Sequence, residues 1–549
     1  MRRLPLLIAL LLAPALAGAA ATVPPPARPK IVAILVVDQL GYEGMQRMRP
    51  WFGKGGFRRL LEEGAFFPET YYGHQNTYTG PGHATIATGA YAHLNGVVAN
   101  RFYDRSRRKS FQTFSDPGHQ LIDAPTEPDG EPSPVNMVCE SLGDRLRLTT
   151  GMKAKVISVG LKDRGAVPLG GKVGQTYFFS EPTGAMTSST YYMKELPAWV
   201  RTFNERKLAD SYFGKVWDRA APDRAYLGED DVAWEDEKLH GRVFPHTVDG
   251  KLDRPGPGFY KAFASSPFGL EYTVAFAKAA VAGEQLGQHA VPDLLAVTFS
   301  SYDYVGHAFG PDSHEQQDMT LRVDRAIADL LAFLEKAAGG RQNLLVGFVA
   351  DHGVTPAPEY MASLGFPAAR IKKGAIKDAI HAELTARFGP GEWVVALEDP
   401  NVYLDEKLIS DRKLDPSLVQ DAAGQAVMKI PGFLTYYTRS RLLRGEVDAT
   451  ALGRAVQLSF YPERSGDVVL VTRPYFFWGR YGERTAGSTH GSPYRYDTHV
   501  PMAFWGFGVK AVKSGNRAEP TDFSMTLARL LDMDPPACAE GEARPEVVR

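Results

Sequence analysis

Short runs that are apolar at every position recur along this chain, and several end in a carboxylate. Ile31 to Val37 reads IVAILVV and runs into Asp38. Leu294 to Phe299 reads LLAVTF and leads through Ser300, Ser301 and Tyr302 to Asp303. Leu344 to Ala350 reads LLVGFVA and opens directly onto Asp351, His352 and Gly353. Lys155 to Val159, Val468 to Val471 and Val500 to Trp505 have the same character. A strand apolar at every position must be covered on both faces, as a central strand of a parallel sheet is. Helical patterns lie between the runs. From Ser313 to Ala338, apolar residues Met319, Val323, Ile327, Leu330, Leu331 and Leu334 repeat at three and four. Ser313 and Gln316 predict a capping box, and Gly339-Gly340 a stop. Strands alternating with helices predict an α/β fold: a mostly parallel central sheet with helices on both faces.

Hydrophobic residues make up 44% of the 549, enough to build a large core. The 62 Lys+Arg and 63 Asp+Glu nearly cancel, so bulk charge draws this chain to no polyanion. No nucleic-acid partner is expected, and any anion must be held by a local site. The opening MRRLPLLIALLLAPALAGAA has a basic start, a short apolar run and small-residue cleavage signals. It predicts a signal peptide over residues 1–21 and a periplasmic or secreted product. No later stretch reaches the roughly 18 apolar residues of a membrane span, so no transmembrane segment is expected in the mature chain. After the Pro-rich VPPPARP, the catalytic domain is expected over 28–535, with 165–275 an inserted, aromatic- and charge-rich cap. Residues 400–465 have a similar composition. Of the two cysteines, Cys139 lies among helically spaced apolar residues and reads as a buried core thiol; Cys538 is far away in sequence.

Asp38, Asp303 with His307, and Asp351-His352 each follow a predicted buried strand. Ligands in open α/β sheets bind outside the carboxyl ends of strands, so these groups are expected to converge at one rim. His490 comes from the Gly/Ser-rich THGSPYRYDTHVP. Three Asp and three His, with no CxxC pair, suit two Zn²⁺ sites of three protein ligands each. A nucleophile is sought in NTYTGPGHATIATG, where Thr77, Thr79, Thr85 and Thr88 offer hydroxyls beside a helix-compatible run. A metal would activate such a hydroxyl, and a helix N-terminus favours phosphate. Spacing alone does not choose among the four.

These residues resemble the alkaline phosphatase superfamily, in its branch with a threonine nucleophile. That branch holds bacterial monoesterases and the nucleotide pyrophosphatase/phosphodiesterases. The likeness runs from VVDQL to the closing TDFSMTLARLLDMDPP. It implies that Thr79, in the Thr-x-x-x-His segment TGPGH, is the nucleophile, and that His83 supports the helix. It implies a phosphate-binding Asn100 at the end of HLNGVVAN. It implies one metal at Asp303, His307 and His490, and a second at Asp38, Asp351 and His352. The sequence departs from common family patterns at GPGH and at Leu94-Asn95. SVGLKDRGAV carries Lys162 and Arg164, a pair found in the monoesterase subgroup. The implied activity is an exported two-zinc phosphomonoesterase acting on small phosphate esters through a phosphothreonine. The alternative is a phosphodiesterase or nucleotide pyrophosphatase using the same metals. A sulfatase would need a C/S-x-P-x-R segment, and Cys139 is followed by Glu-Ser-Leu-Gly. A non-catalytic binding protein is disfavoured by a full ligand set beside Thr79.

Overall fold

In the computed structural model, residues 28–126 and 130–548 are described; the expected signal peptide lies outside them. Nine strands form the central sheet: β1 (Ile31–Val36), β2 (Ala65–Tyr71), β3 (Val156–Gly160), β4 (Gln175–Ser180), β5 (Ala185–Thr187), β6 (Asp293–Thr298), β7 (Leu344–Val349), β8 (His499–Gly506) and β9 (Val512–Lys513). Their order is β9-β2-β8-β7-β1-β6-β3-β4-β5. From β7 to β4 every neighbouring pair is parallel, with Ile31 opposite Leu344 on one side and Asp293 on the other. The sheet is therefore mostly parallel, as expected, with β8 reversed against both β7 and β2.

Alternation along β1 sorts its side chains onto two cores. Six helices matter to the site and its support: α1 (Thr79–Thr88), α2 (Asp163–Gly170), α3 (Pro267–Gly283), α4 (Ser301–Phe309), α5 (His314–Ala338) and α6 (Thr521–Leu530). Ile31, Ala33 and Leu35 share a core with Phe276 and Ala277 of α3 and with Val323, Ile327 and Leu330 of α5. Val32, Ile34 and Val36 share the other with Ile86 of α1 and with Phe523 and Leu527 of α6. Helices thus cover both faces, which is why β1 can be apolar throughout. α5 begins where its sequence predicts: the Ser313 hydroxyl accepts from the Gln316 backbone N–H at 3.1 Å. The return bond of the capping box is not made, since both polar atoms of the Gln316 side chain are without partners. Gly339 closes the helix at φ +77°.

Two expectations need correction. The run Val468 to Val471 is a strand, but it belongs to a separate four-stranded antiparallel sheet with Val394–Glu398, Asn401–Leu404 and Phe433–Thr438. Val468 and Leu470 pack into one core and Val469 and Val471 into another. An all-apolar run reports cover on two faces, and here an antiparallel strand has it. Cys139 is buried but is not a free thiol. It is joined to Cys538 across 399 residues, with Cα atoms 5.9 Å apart. The C-terminal segment folds back beside α1, where the Glu540 and Gly541 N–H groups donate to the Gly89 carbonyl, and this brings the two cysteines together.

Within 165–275, most of α2 and all of β4 complete the central sheet and its cover, and the first half of α3 packs on it. The stretch between carries short elements, including strands Lys215–Trp217 and His246–Val248. Glu235, in this stretch, is 2% exposed, and neither carboxylate oxygen has a partner. Burial first, then the carboxylates of Glu315 and Asp230, push it up to about 10.

Two predictions concern stability. Removing the long crosslink in the Cys139→Ser/Cys538→Ser variant should lower resistance to urea by about 2–5 kcal/mol. The wild-type chain should show the same loss on reduction and the variant none; identical unfolding midpoints with and without reductant would count against a structural bridge. For Glu235, a raised folded pKa means the stability it permits is complete below its unfolded value and drains away as pH rises toward 10. Glu235→Gln should therefore flatten the fall of melting temperature between pH 5 and pH 9 and melt higher than wild type at pH 9. Parallel curves for the two proteins would remove Glu235 from this account.

Candidate active site

Four adjacent parallel strands, β7, β1, β6 and β3, end at one rim, and each delivers charged side chains just beyond its last residue. β1 delivers Asp38, and β7 delivers Asp351 and His352. β6 runs into α4, whose first turn carries Asp303 and whose last carries His307. β3 delivers Lys162 and, on α2, Arg164. His490 arrives on the loop before β8. The carboxylates of Asp38, Asp303 and Asp351 and the His352 ring are all fully buried.

Two clusters result. Asp38, Asp351 and His352 bring ligand atoms within 4.8 Å of one another, and so do Asp303, His352 and His490. His307 joins the second from the side: its Nε2 lies 3.5 Å from Asp303 Oδ1, the same distance as His490 Nε2. The clusters are contiguous, because the rings of His352 and His490 stack with centroids 3.6 Å apart. The sequence-based partition kept His352 in one set; the structure sets it between both.

The donor chemistry fits metal ions. His307 Nδ1 donates to the Ser488 carbonyl at 2.8 Å, His490 Nδ1 to Thr77 at 2.7 Å and His352 Nδ1 to Gly353 at 2.9 Å. Each ring thus spends its proton on backbone and turns an Nε2 lone pair inward, the tautomer a metal ligand needs. Burial lowers His307 and His352 to about 3, so both rings are neutral at ordinary pH. His352 Nε2 then faces Asp351 Oδ2 at 3.2 Å and Asp38 Oδ1 at 3.6 Å, and neither His352 Nε2 nor Asp38 Oδ1 has a hydrogen-bond partner. Acceptors facing acceptors in a buried site need a cation. Burial, then Asp303 and Asp351, raise the Asp38 carboxyl well above its ordinary range. Burial pushes Asp303 and Asp351 the same way, but neighbouring cationic and histidine groups bring both below the ordinary range. The cation in contact with these carboxylates is Lys162, whose Nζ sits 2.8 Å from Asp38 Oδ2 and also bonds Asp303 Oδ2.

The threonines can now be separated. Thr85 and Thr88 donate to carbonyls one helical turn back, Pro81 and Ala84, and Thr77 donates to Ser492. Thr79, first residue of α1, is buried, and its hydroxyl shows no hydrogen bond to a described residue. Its helix rests on Asp351: a Cβ at Gly82 would overlap the Asp351 carbonyl, so the close approach requires glycine there. His83 lies outside both clusters. Its Nδ1 is 2.9 Å from the Thr79 carbonyl and 3.1 Å from Asp351 Oδ2, and its Nε2 is 2.9 Å from Thr298 Oγ1. It ties α1 to β6 and to one carboxylate. The Gly80 N–H donates to Asn100 Oδ1 at 2.8 Å. That bond fixes the Asn100 amide. Asn100 and Arg164 line an open cleft of about 800 Å³ with Tyr304, His307 and His490. Lys162 sits beneath it, 2% exposed.

Sequence reasoning missed Gln39, which hydrogen-bonds both Asp351 and Asp303; nothing in its spacing singles it out. It also left Thr298 and Ser300 without roles. Thr298 holds His83, and Ser300 Oγ accepts from the Lys162 backbone N–H at 3.2 Å. His499 is packed between Tyr42 and Tyr71, and His314 pairs with Asp230, both away from the clusters.

A model of the type I phosphodiesterase/nucleotide pyrophosphatase family matches residues 32–493. Alkaline phosphatase PafA of Elizabethkingia meningoseptica is 32% identical over 528 residues, 95% of each chain. A Myroides odoratus protein named as a calcium-transporting ATPase is 32% identical over 514 residues, 93% of each chain. The crystal structure of wild-type PafA superimposes with a TM-score of 0.88 at 31% identity, covering 95% of this chain and 99% of that one. A PafA variant altered at one threonine, one asparagine, one lysine and one arginine superimposes equally well, at 0.88. By its sequence, its sheet and its paired Asp/His clusters, this chain belongs to the type I phosphodiesterase/nucleotide pyrophosphatase family of the alkaline phosphatase superfamily.

Proposed function

We propose that this chain is an exported alkaline phosphatase that hydrolyses phosphate monoesters through a phosphothreonine at Thr79. In this proposal two Zn²⁺ ions are held by Asp38, Asp351 and His352 and by Asp303, His307 and His490. The observation that carries the monoester preference is the pair Lys162 and Arg164 beside the clusters, one fixed between Asp38 and Asp303 and the other in the cleft. A monoester presents more non-bridging negative charge than a diester, and two added cations answer it. The altered residue types in the PafA variant, threonine, asparagine, lysine and arginine, match the quartet Thr79, Asn100, Lys162 and Arg164.

When bound, the metals supply Lewis acidity that stabilises the threonine alkoxide and the departing oxygen. The chain's own groups do the rest. Thr79 Oγ forms a bond to phosphorus as the ester P–O bond breaks, and water later cleaves the Thr79–phosphate bond. The amino-terminal end of α1 favours the negative charge at Thr79. The Asn100 amide, its oxygen committed to Gly80, keeps its N–H groups for a phosphoryl oxygen. Arg164 offers a planar fork to the others. Lys162 contributes a point charge and bridges Asp38 and Asp303. Burial keeps the His307 and His352 rings neutral, and the backbone bonds at Nδ1 of His307, His352 and His490 hold each Nε2 toward the clusters.

We assign the stretch from Ser188 to Ser265 as a cap on the leaving-group side, since Leu239 and Ser265 line the cleft. Export is supported by the N-terminal sequence and by the disulfide, which suits an oxidising compartment. No helix among the described residues is long and apolar enough to cross a membrane.

The test compares an aryl phosphate monoester with a bis-aryl diester. The monoester should be preferred. Lys162→Ala/Arg164→Ala should slow it by at least ~10²–10³-fold, with much less effect on the diester. A diester preference that ignores both substitutions would establish the phosphodiesterase alternative. Thr79→Ala should lose covalent phosphate labelling while keeping its zinc; labelling that persists in this variant would remove Thr79 as nucleophile.

A further inference from the structure

Gln39 follows Asp38, is fully buried, and has a left-handed backbone at φ +72°. A glutamine in that conformation is strained and persists only where its surroundings fix it. Here two hydrogen bonds do so. Its backbone N–H donates to Asp351 Oδ1 at 2.9 Å, and its side-chain Nε2 donates to Asp303 Oδ1 at 3.0 Å. One residue therefore grips a carboxylate from each cluster, since Asp351 groups with Asp38 and Asp303 with His490. These bonds leave Asp351 Oδ2 facing His352 and Asp303 Oδ2 facing Lys162.

Local preference would put another residue here. Glycine accepts a positive φ without strain but carries no amide. Asparagine tolerates it but is one methylene shorter. Space is cleared for the longer amide at Gly306, inside α4 between Asp303 and His307, where a Cβ would overlap Gln39 Oε1. Glycine weakens a helix interior. Two locally unfavourable residues thus meet at one amide, and what that amide holds is the Asp303 carboxylate.

We propose that Gln39 is a positioning residue that couples the two clusters, holding Asp351 and Asp303 in the arrangement that receives metal at both; this rests on the two-metal reading above. The side-chain amide fixes Asp303 and the backbone N–H fixes Asp351, and the left-handed φ sets the two donors relative to each other, so loss of the side chain acts first on the Asp303 cluster and reaches the Asp351 cluster through the backbone. Residues of this kind, one step out from the ligands, typically govern 10–100-fold in metal affinity.

The experiment measures Zn²⁺ affinity and stoichiometry of the full chain by competition with a chromophoric chelator. Gln39→Met removes the donor at similar size. Gln39→Gly also removes it but relieves the backbone, so it reports even if the methionine variant folds poorly. Both should bind Zn²⁺ ~10–100-fold more weakly at the equivalent held by Asp303, and Gln39→Gly, whose relaxed backbone no longer fixes the N–H toward Asp351, should weaken the other equivalent as well. Gly306→Ala, which displaces the amide, should weaken the Asp303 equivalent in the native background and add nothing in Gln39→Gly. Wild-type affinity in Gln39→Gly, or an equal penalty from Gly306→Ala in both backgrounds, would overturn the coupling role. A wild-type chain that binds no Zn²⁺ would overturn it together with the two-metal reading. If instead the wild type binds two equivalents but prefers diesters, the monoesterase reading fails and the role of Gln39 stands.

Discussion

Three carboxylates buried at the ends of neighbouring strands repel one another, and much of the site can be understood as a response to that repulsion. Desolvation makes each negative charge costly, and proximity makes the sum worse. The fold tolerates the arrangement because the parallel sheet fixes where β1, β6 and β7 end. The carboxylates cannot drift apart without breaking a register that holds from Ile31 to Val36 on both sides. A cation between them is therefore part of the structural logic. Lys162 supplies one, and the proposed metals would supply the others. A substrate phosphate arriving above this cradle meets a centre whose negative groups are already matched.

The sheet and the clustering were legible in the sequence because both follow from patterns that survive averaging. Full apolar runs report two-faced cover, and a carboxylate directly after such a run reports a strand end. What was not legible depended on distances between remote segments. The run at Val468 satisfied the pattern for two-faced cover inside an antiparallel sheet, because periodicity does not encode the direction of the neighbour. Cys139 and Cys538 are far apart in sequence, and only the return of the C-terminal segment past Gly89 brings them together. The choice among four threonines turned on which hydroxyls had carbonyls one turn back, which needs coordinates. The partition of ligands failed to anticipate that His352 would lie against His490, because sequence order assigns a residue to one strand end but not to the gap between two.

The family likeness carried further than the spacing did, since it nominated Thr79, Asn100, Lys162 and Arg164 as a set. Its contribution was roles, and the geometry qualifies them. Gly80 spends its amide on Asn100 and so acts by fixing that side chain. Lys162 is buried between carboxylates beneath the cleft floor and so reaches a substrate only through the top of the cradle. His83 draws together α1, β6 and Asp351, so the helix of the proposed nucleophile and a proposed metal ligand share one imidazole. Support and chemistry are thus interlocked. A change in any of these three residues would shift groups it does not itself contain.

The backbone around the site shows how that interlocking is achieved. Gly82 lets α1 lie on the Asp351 carbonyl, and a Cβ at Gly353 would overlap the Tyr496 carbonyl. Gly353 also donates its N–H to the Asp497 carbonyl at 2.7 Å, which pins the end of β7 to the loop that brings His490. Asp497 in turn accepts from Thr355 and Ser492, closing the loop on itself. The contacts at Gly82 and Gly353 are closer than a side chain would allow, and each joins segments that supply different groups of the site. Close packing transmits small displacements rather than absorbing them. A site assembled from the ends of separate strands needs that stiffness, because no single element holds two complete ligand sets. Glycines at these points give up local stability so that remote segments can approach, and Gln39 accepts strain for the same end.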